Sequence, residues 1–466
     1  MKTDKVYILI VTLLLMGLVF SSSINASIDG TSKWVSEIVR NRVTILNDNN
    51  HLPIYINGNE NFTSQNGVTD GSGTDDDPYI IEDWVIVGNG STSEGIFINN
   101  TYAYFVIRNC TISNLTNTYD SGILFNHVEN GRIENTISFR TQKAIKVQKS
   151  CRIEIFNCTS DSYSSVWFAS GVSCYDSYYI TISSCDFYGK GFSVSLFDTS
   201  YSVIDNSSCY NNSFFGVYIS GKQSEHNIVK DCKIYNNYHE GIRLSADDNE
   251  RHSTYTHILR CDIYNNGLLP DADNGEPGIR IWNVHENIIE DCNICHNGRG
   301  VKIDASRGNI IRNCNIFDHY KDSGFLAEGI VISRDYIGLI RSRNNKVINC
   351  DIYNNEIGIS TYGTLLIKIE KNNVYNNSYL GIASVRSFLN HINYNNFIDN
   401  GEFKVALDSG GVCSRVSFIN ARNNWWGSPL GPSRLLPLRG DYIKTILGIC
   451  TSHPWSKEPI PDAGVQ

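Results

Sequence analysis

Apolar and polar residues alternate in short pieces along most of the chain, and the pieces recur in groups of three. One such group comprises residues 227–229, 232–234 and 242–244. An apolar side chain at every second position lies on one face of a strand, so each piece predicts a short β-strand. Asn-Asn follows the second piece and Gly precedes the third, and both residue types tolerate the left-handed backbone that a sharp corner requires.

The group repeats at a nearly constant length. The first residue of its second piece, usually Cys and otherwise Asn or Ser, falls at positions 110, 135, 158, 185, 207, 232, 261, 292, 314, 350, 372, 395 and 423. The shortest step, 207 − 185 = 22 residues, leaves room for three strands and three corners. No group shows the 3.6-residue period of a helix. The pattern therefore predicts an all-β fold, a right-handed parallel β-helix (solenoid) of about 13 coils with a cap at each end.

The two ends of the chain depart from this pattern. An apolar run over residues 6–20 follows two lysines, and small residues continue to Ala26. This is the layout of a secretory signal peptide, which we assign to residues 1–26, with an uncleaved N-terminal anchor as the alternative. A repeat array needs end pieces that cover its open edges. The predicted segments of the mature chain are an N-terminal cap over 27–79, the repeats over 80–432, and a C-terminal cap and tail over 433–466.

Composition and charge narrow the partners and the location. The net charge of −9 and the sequence pI near 5.7 give no basic surface for nucleic acid, so we expect no nucleic-acid partner. A signal peptide implies a secreted or cell-surface protein, in contact with the membrane only through an uncleaved signal segment. Among the 14 cysteines, those at the repeat position are predicted to be small buried hydrophobes. Pairing stays open among the others, which are Cys151, Cys174, Cys209, Cys295, Cys413 and Cys450.

The coil pattern, the Asn-Asn corners and the Gly-Ile-x-Ile strands resemble the β-helix repeats of the pectate-lyase-like superfamily. More narrowly, they resemble NosD-like exported proteins. The segment 53–84 is similar to the one that opens such arrays, and Asn-Asn-Trp-Trp-Gly-Ser-Pro-Leu-Gly-Pro over 423–432 is similar to the motif that closes them. The resemblance implies the fold across nearly all of the mature chain. It does not imply one activity, because one fold hosts many functions.

Two activities known among such proteins can be checked against the residues. The resemblance to NosD-like proteins implies copper handling, which needs clustered His, Cys or Met. The chain has two Met and scattered histidines, of which only His319 lies beside a predicted long loop. The set of Asn-Thr-Asp, Asp-Asp, Gly-His-Gly and Arg-Ile-Lys motifs of polygalacturonase-like hydrolases is absent, as is a pectate-lyase-like calcium cluster. A standard pectin enzyme is therefore not indicated.

The longest repeat units point to a binding surface. Their extra residues form loops at both ends of the third strand, and such loops line up as walls when coils stack. Between the walls, the outward residues of the third strands form a floor. The loops cover 246–256, 268–277, 318–328 and 334–344, and the predicted substrate-binding residues on the floor are Arg243, Arg280, Trp282 and Lys302.

These residue types suit a polysaccharide or cell-surface glycan. Arginine pairs with sugar carboxylates in a bidentate way, and the face of a tryptophan stacks on a sugar ring. Paired carboxylates can perform acid/base chemistry on a glycosidic bond. The candidate catalytic residues are Asp304, Glu328 and Asp335, and an enzyme of this kind would be a polysaccharide lyase or a glycoside hydrolase. The alternative is a structural or adhesive surface rod whose outward charges keep it soluble.

One acidic loop resembles the start of a calcium site. Asp271 and Asp273 place oxygen ligands at alternate positions, and Glu276 follows closely. Ca²⁺ binds such oxygen ligands, but calcium loops also carry a bidentate Glu at the twelfth position, where this chain has Trp282. The sequence thus predicts a weak Ca²⁺ site at Asp271, Asp273 and Glu276, with an ordinary acidic loop as the alternative.

Overall fold

The structure, a computed structural model, describes residues 49–161, 169–246, 252–267, 275–319, 326–335, 341–401, 410–433 and 440–465. The chain divides into two compact units, Met1–Asn50 and His51–Gln466, and the second unit is the β-helix. The predicted signal peptide over 1–26 lies outside the described residues. In the described part of the chain, no helix is long and apolar enough to cross a membrane.

Three long sheets run along the described β-helix, and we number them in the order in which a coil visits them. All neighbouring strands in the first sheet are parallel except the first pair, Val68–Asp70 and Tyr79–Glu82, which is antiparallel. The first sheet then continues with Phe105–Arg108, Gly131–Glu134, Cys151–Phe156, Tyr178–Ser183, Val203–Asp205, Ile228–Lys230, His257–Leu259, Ile288–Glu290, Ile310–Arg312, Lys346–Ile348, Lys368–Glu370, Phe388–Asn393, Phe418–Asn420 and Ile449–Thr451.

The second and third sheets follow the same stacking order. The second sheet contains Val85–Val87, Thr111–Leu115, Ile137–Thr141, Thr159–Ser160, Asp186–Tyr188, Ser208–Tyr210, Lys233–Tyr235, Asp262–Tyr264, Asn293–Cys295, Asn315–Phe317, Asp351–Tyr353, Asn373–Tyr375 and Asn396–Ile398. The third sheet contains Ile54–Asn57, Glu94–Thr101, Ser121–Val128, Lys143–Gln148, Ser170–Tyr175, Phe192–Phe197, Val217–Ser220, Ile242–Ser245, Pro277–Trp282, Arg299–Asp304, Glu328–Ser333, Ile357–Tyr362, Leu380–Val385, Gly410–Arg415, Gly440–Ile446 and Pro432–Ser433.

Little else interrupts the described array. His252–Ser253 pairs with Val284–His285 outside the three long sheets, and two short 3-10 helices cover Asn59–Asn61 and Ser64–Asn66. The predicted all-β parallel β-helix is confirmed.

Strands of the long sheets also occur within the two predicted caps. Ile54–Asn57 lies within the predicted N-terminal cap, yet it already pairs with Glu94–Thr101 in the third sheet. At the other end, Gly440–Ile446 and Ile449–Thr451 lie within the predicted C-terminal cap and add strands to the third and first sheets. The predicted tail packs back on the array, because Asn396 Nδ2 donates to the Ile460 carbonyl oxygen at 3.1 Å.

Apolar residues at the centres of the short strands fill the interior. In the first sheet, Ile204 stacks on Val229, and Val229 stacks on Ile258. All three side chains are fully buried. β-branched side chains suit this position because they pack well on a pleated surface. The alternation in the sequence therefore places one apolar column from each of the first two sheets, and two columns from the third sheet, inside the coil.

A column of buried polar side chains lines the interior of the corner between the second and third sheets. Asn237 Nδ2 donates to Asn266 Oδ1 at 2.8 Å, and Asn266 Nδ2 donates to Asn297 Oδ1 at 3.0 Å. The backbone N–H of Asn237 also donates to Asn266 Oδ1, at 3.1 Å. Buried amides need such partners, because an unpaired buried polar group is costly. The column, which we call the asparagine ladder, comprises Asn212, Asn237, Asn266, Asn297, His319, Asn355, Asn377 and Asn400.

Charged residues stand at both ends of the asparagine ladder. Each ladder residue donates to the ladder residue of the next coil along the chain. The amide dipoles therefore point the same way, with the negative end of the ladder at Asn212 and the positive end at Asn400. The backbone N–H of buried Lys190 donates to Asn212 Oδ1 at 3.2 Å, and Asp441 Oδ2 accepts from Asn400 Nδ2 at 2.7 Å. Only Asp441 meets the ladder through its side chain, because Lys190 Nζ donates to the Thr141 carbonyl oxygen at 2.8 Å. Burial lowers the pKa of Lys190 to about 7 and raises the pKa of Asp441 to about 7.

Cysteine and its substitutes form a second interior column, at the corner between the first and second sheets. Cys232 is buried, as predicted for the cysteines at the repeat position, and its Sγ lies 3.1 Å from the Lys230 carbonyl oxygen. The cysteines at the repeat position form no disulfide, and neither do Cys151, Cys174, Cys209 and Cys295. In two coils, the predicted repeat position at the start of the second strand was wrong by one residue. Thr136 and Asn424 are the buried interior residues, whereas positions 135 and 423 have the left-handed backbone of the corner.

We predict that Asn266→Ala destabilises the β-helix by about 2–4 kcal/mol, because it breaks several buried hydrogen bonds and leaves the Asn237 N–H without its acceptor. Asn237 Nδ2 would keep only the Cys209 carbonyl oxygen, and Asn297 Oδ1 would keep only the Asn266 N–H. Thermal and denaturant unfolding measure the change. The matched control is Asn293→Ala, which removes an exposed asparagine from a neighbouring strand. Equal stability of the two variants would show that the ladder contributes little.

We also predict a pH-dependent stability gain for Asp441→Asn. The folded-state pKa of Asp441 is raised to about 7 from the ordinary value of 3.8, chiefly by burial. Its contribution to stability is therefore fully present below the ordinary value and is lost as the pH rises through about 7. Melting temperatures at pH 4 and pH 8 should show Asp441→Asn gaining on the wild type at the higher pH. The control Asp176→Asn changes an exposed residue, and a gain of the same size there would contradict this explanation.

Candidate functional site

Two rows of outward side chains run across the third sheet. The backbone register places Arg243 opposite Arg280, and Arg280 opposite Lys302, as the alternation predicted. The first row contains Tyr218, Arg243, Arg280, Lys302 and Val331, and the second contains Ser245, Trp282, Asp304, Ser333 and Tyr362. We call the surface formed by these two rows the charged face.

A buried carboxyl group lies beneath the first row. Glu240 lies two residues before the first residue of the strand Ile242–Ser245 and is fully buried. Its Oε1 lies 3.3 Å from Arg243 Nη1 and 3.4 Å from Arg280 Nη1. Its Oε2 makes no hydrogen bond within the described part of the chain. One carboxyl group thus holds guanidinium groups from two consecutive coils and keeps an oxygen available.

Asp304 is the second carboxyl group of the charged face. Its Oδ2 lies 3.3 Å from Arg280 Nη2 and 3.5 Å from Lys302 Nζ. Its Oδ1 accepts a hydrogen bond from the Ser333 hydroxyl. Arg280 also approaches Glu276 Oε2, at 4.0 Å. The stripe that the sequence predicted as basic is therefore paired with acids of the same face and does not form an open cationic surface.

Trp282 supplies an apolar platform in this polar surface. The side chain is 38% exposed. The guanidinium groups of Arg243 and Arg280 lie 5.5 and 6.0 Å from its ring centroid, and Arg243 also lies 5.1 Å from the Phe215 centroid. Cation–π contacts of this kind are attractive. They fix the orientation of the indole, so one part of its surface stays open at a defined place.

The remaining candidate catalytic residues lie beside this network. Both carboxyl oxygens of buried Glu328 are used, since Oε2 accepts from Arg299 Nε at 2.9 Å and Oε1 accepts from the Tyr362 hydroxyl at 3.0 Å. This arrangement suits a structural clamp between coils. Asp335 is half-buried, two residues beyond the strand Glu328–Ser333. Asp304 is the candidate that lies among Arg280, Lys302 and Trp282, and the catalytic roles of all three stay predictions.

The pKa values of Glu240 and Glu276, two acids beside Arg280, are shifted in opposite directions. Burial raises the pKa of Glu240, and the neighbouring Glu276 raises it further. Burial also acts to raise the pKa of Glu276, but hydrogen bonding with His239 and the charge of Arg280 outweigh it, so that pKa is lowered. Glu240 is therefore the acid of this pair that more readily holds a proton. Two acids with opposite shifts are the arrangement that acid/base chemistry requires.

Three side chains at the edge of the charged face could hold a cation. His239, Glu240 and Glu276 present ligand atoms that all lie within 4.8 Å of one another. The two guanidinium groups beside Glu240 act against a second positive charge there. The calcium site predicted at Asp271, Asp273 and Glu276 stays a prediction, because Asp271 and Asp273 lie outside the described residues.

Two other predicted features lie outside the charged face. His319, the histidine beside a predicted long loop, is a member of the asparagine ladder, and its Nδ1 accepts from the Asn297 N–H at 3.2 Å. Burial lowers its pKa to about 3. Most of the predicted wall loops lie outside the described residues, at 247–251, 268–274, 320–325 and 336–340. The geometry of the walls therefore stays a prediction.

The sequence pattern missed two residues that organise the charged face. Glu240 and Arg299 each lie two residues before the first inward apolar residue of a third strand, Ile242 and Val301. Residues two apart in a strand lie on the same face, so Glu240 and Arg299 lie on the inward face with Ile242 and Val301, where apolar residues were expected. The charge at that position, directly before Gly241 and Gly300, was the signal that could have identified them.

Two family models match adjoining parts of the chain. The model described as "Right handed beta helix region" matches residues 121–267, and the model described as "Periplasmic copper-binding protein (NosD)" matches residues 248–411. The two matches overlap, and together they cover the array from the strand Ser121–Val128 to the strand Gly410–Arg415. No curated protein sequence matches the chain.

Solved structures with a similar fold include three from polysaccharide biology and phage. The Dettilon tailspike protein (gp208) has a TM-score of 0.48 at 14% identity, over 68% of this chain and 62% of that one. The periplasmic alginate epimerase AlgG has a TM-score of 0.40 at 15% identity, over 80% and 85%. The A-module of the Azotobacter vinelandii mannuronan C-5 epimerase AlgE6 has a TM-score of 0.41 at 11% identity, over 84% and 99%.

These similarities are too distant to carry any argument about activity. The family matches rest on the sequence itself, and they agree with the three parallel sheets of the structure. The chain is therefore a right-handed parallel β-helix protein whose residues 248–411 are similar to the NosD family, and the matches and the fold together fit a NosD-like protein.

Proposed function

We propose that the chain is an extracytoplasmic protein that binds a polysaccharide along the charged face. The observation that carries the proposal is a run of three bases in consecutive coils within one row of the third sheet. The row holds Lys146, Ser173, Ser195 and Tyr218 in four earlier coils, and then Arg243, Arg280 and Lys302. The fold is the same in all seven coils. The later residues are therefore not explained by the needs of the β-helix.

The chemistry of the charged face suits a ligand rich in hydroxyl groups. Carboxylates accept hydrogen bonds from sugar hydroxyls, and guanidinium groups donate to sugar oxygens. Trp282 offers its exposed surface to a sugar ring. The charges are balanced, because the acids Glu240, Glu276, Asp304 and Glu328 face the bases Arg243, Arg280, Arg299 and Lys302. Balance favours a neutral or sparsely charged polymer over a dense polyanion.

A second candidate function is metal handling. It is favoured by the match to the periplasmic copper-binding family and by the cluster of His239, Glu240 and Glu276. Imidazole and carboxylate groups bind divalent transition metals. The adjacent Arg243 and Arg280 make this the weaker candidate, since both already pair with Glu240. The third candidate is a structural rod without a small-molecule site, and such a protein would bind neither polysaccharide nor metal.

We predict that Arg280→Ala/Trp282→Ala lowers polysaccharide affinity by about tenfold or more, because it removes a central donor and the stacking platform. A glycan array selects the ligand, and titration of the purified chain measures the affinity. The matched control is Arg260→Ala/Tyr255→Ala, which removes an exposed arginine and an exposed tyrosine from another side of the coil. Analysis of the mixtures for shortened or unsaturated chains tests the predicted hydrolase or lyase activity.

Two outcomes would overturn the binding proposal. One is undiminished affinity in Arg280→Ala/Trp282→Ala together with an unchanged melting curve. The other is a wild type that binds no polysaccharide on the array, which would leave the structural rod as the better description.

Metal analysis separates the first two candidates. We predict that the purified chain retains no stoichiometric copper, because two guanidinium groups already pair with Glu240. Elemental analysis after exposure to Cu²⁺ measures the content. Bound copper that is lost in His239→Ala but kept in the control His257→Ala would favour metal handling. His257 is a suitable control because it also lies beside a carboxylate, Glu290, at 2.9 Å.

A further inference from the structure

An exposed apolar surface occupies one corner of the last coils. It lies where the chain turns from the third sheet into the first. Side-chain exposure is 85% for Leu447, 57% for Leu389 and 55% for Ile449. Monomeric soluble proteins rarely leave apolar side chains exposed in a contiguous group. We call this surface the apolar corner, and its members are Leu366, Leu389, Val416, Phe418, Leu447 and Ile449.

Backbone pairing shows that the apolar corner is one continuous surface. Phe418 is the register partner of Phe388 on one side and of Ile449 on the other. The rings of Phe388 and Phe418 stack at 5.7 Å between centroids. The N–H of Val416 donates to the Ile446 carbonyl oxygen at 2.8 Å, which places Leu447 beside it. The members therefore belong to stacked, hydrogen-bonded coils.

The backbone at this corner makes the apolar side chains unexpected. Leu366, Leu389, Val416 and Leu447 have φ angles of 57°, 56°, 49° and 51°. This left-handed region favours Gly and Asn, and a β-branched residue such as Val is an outlier there. The same turn uses Gly308 and Asn344 in earlier coils. Strained backbone that persists with exposed apolar side chains is a reason to infer a function for those side chains.

Arginines surround the apolar corner. Arg341, Arg386 and Arg415 are exposed, and the Arg341 guanidinium lies 5.5 Å from the centre of the Phe388 ring. Within the described residues, these three arginines make no ion pair. The sequence contains no Asp or Glu over 371–398 or 409–440. This region is therefore positively charged, although the whole chain carries a net charge of −9.

We propose that the apolar corner docks the protein on an anionic lipid surface. Exposed leucine and phenylalanine side chains enter the boundary between headgroups and acyl chains, and arginines beside them attract anionic headgroups. The combination of apolar and cationic groups selects this occupant, since a second copy of the same surface would bring like charges together. This site is independent of polysaccharide binding, because the apolar corner and the charged face share no residue.

The test is flotation of the full chain with lipid vesicles. Phosphatidylcholine vesicles with and without phosphatidylglycerol are compared for the wild type and for Leu389→Asn/Leu447→Asn. Asparagine keeps the left-handed backbone, so this variant should fold at least as well as the wild type. We expect its binding to vesicles containing phosphatidylglycerol to fall by about tenfold or more, as the loss of two inserted leucines implies.

Two further variants complete the test. Tyr394→Asn makes the same kind of change at an exposed left-handed position, φ 60°, on another corner, and should bind vesicles as the wild type does. Arg386→Gln/Arg415→Gln should lower binding by about tenfold only when phosphatidylglycerol is present.

Three results would overturn the proposal. The first is that the wild-type chain does not float with phosphatidylglycerol vesicles. The second is that the wild type and Leu389→Asn/Leu447→Asn float equally. The third comes from sedimentation velocity without lipid. A wild-type oligomer that becomes monomeric in Leu389→Asn/Leu447→Asn would assign the apolar corner to contact between copies of this chain.

Discussion

Hydrogen bonding from each coil to the next is the constraint on which the rest of this structure depends. Backbone pairing supplies most of it, but backbone groups alone do not satisfy the corners, where the chain turns and the strands end. Buried side chains complete the pattern there. Where one asparagine follows another in the asparagine ladder, its Oδ1 accepts from both the backbone and the side chain of the asparagine in the preceding coil, as Asn266 does from Asn237.

This constraint divides the residues of a coil between two tasks. Most inward positions hold apolar or ladder side chains, with Glu240 and Arg299 as exceptions, so these positions are nearly uniform along the array and carry little information about function. Outward positions are free of that demand. A site on such a scaffold is therefore a place where outward residues in consecutive coils change together, as they do from Tyr218 to Lys302. The rigid stacking then holds the side chains in register with no further support.

The charged face also shows how charge is accommodated on a nearly flat sheet. Arg280 contacts Glu240, Glu276 and Asp304, so it bridges acids from both sides of its own strand. A guanidinium group with several acceptors is held in one orientation, and binding a ligand then costs less side-chain entropy. The same pairing removes the excess positive charge that the residues would show if considered singly.

The sequence predicted the fold well because the period of two residues and the 22-residue step each allow few structures. It also placed Arg243, Arg280, Trp282 and Lys302 on one face, since alternation decides which way a strand residue points. It could not show that these bases are paired. Glu240 lies at an inward-counting position, and its contacts with Arg243 and Arg280 depend on how neighbouring coils stack. Positions 135 and 423 were wrongly predicted to be interior residues of the cysteine column. The reason is that Asn occurs both in that column and at the left-handed corner position directly before it.

The most direct measurement of the central claim is a crystal structure of the chain with an oligosaccharide that it binds in solution. We expect a sugar ring against the exposed surface of Trp282, with its hydroxyls hydrogen-bonded to Arg243, Arg280 or Asp304. We also expect the ligand to extend across strands, from coil to coil. An oligosaccharide bound elsewhere on the array, with the charged face open and empty, would contradict the account.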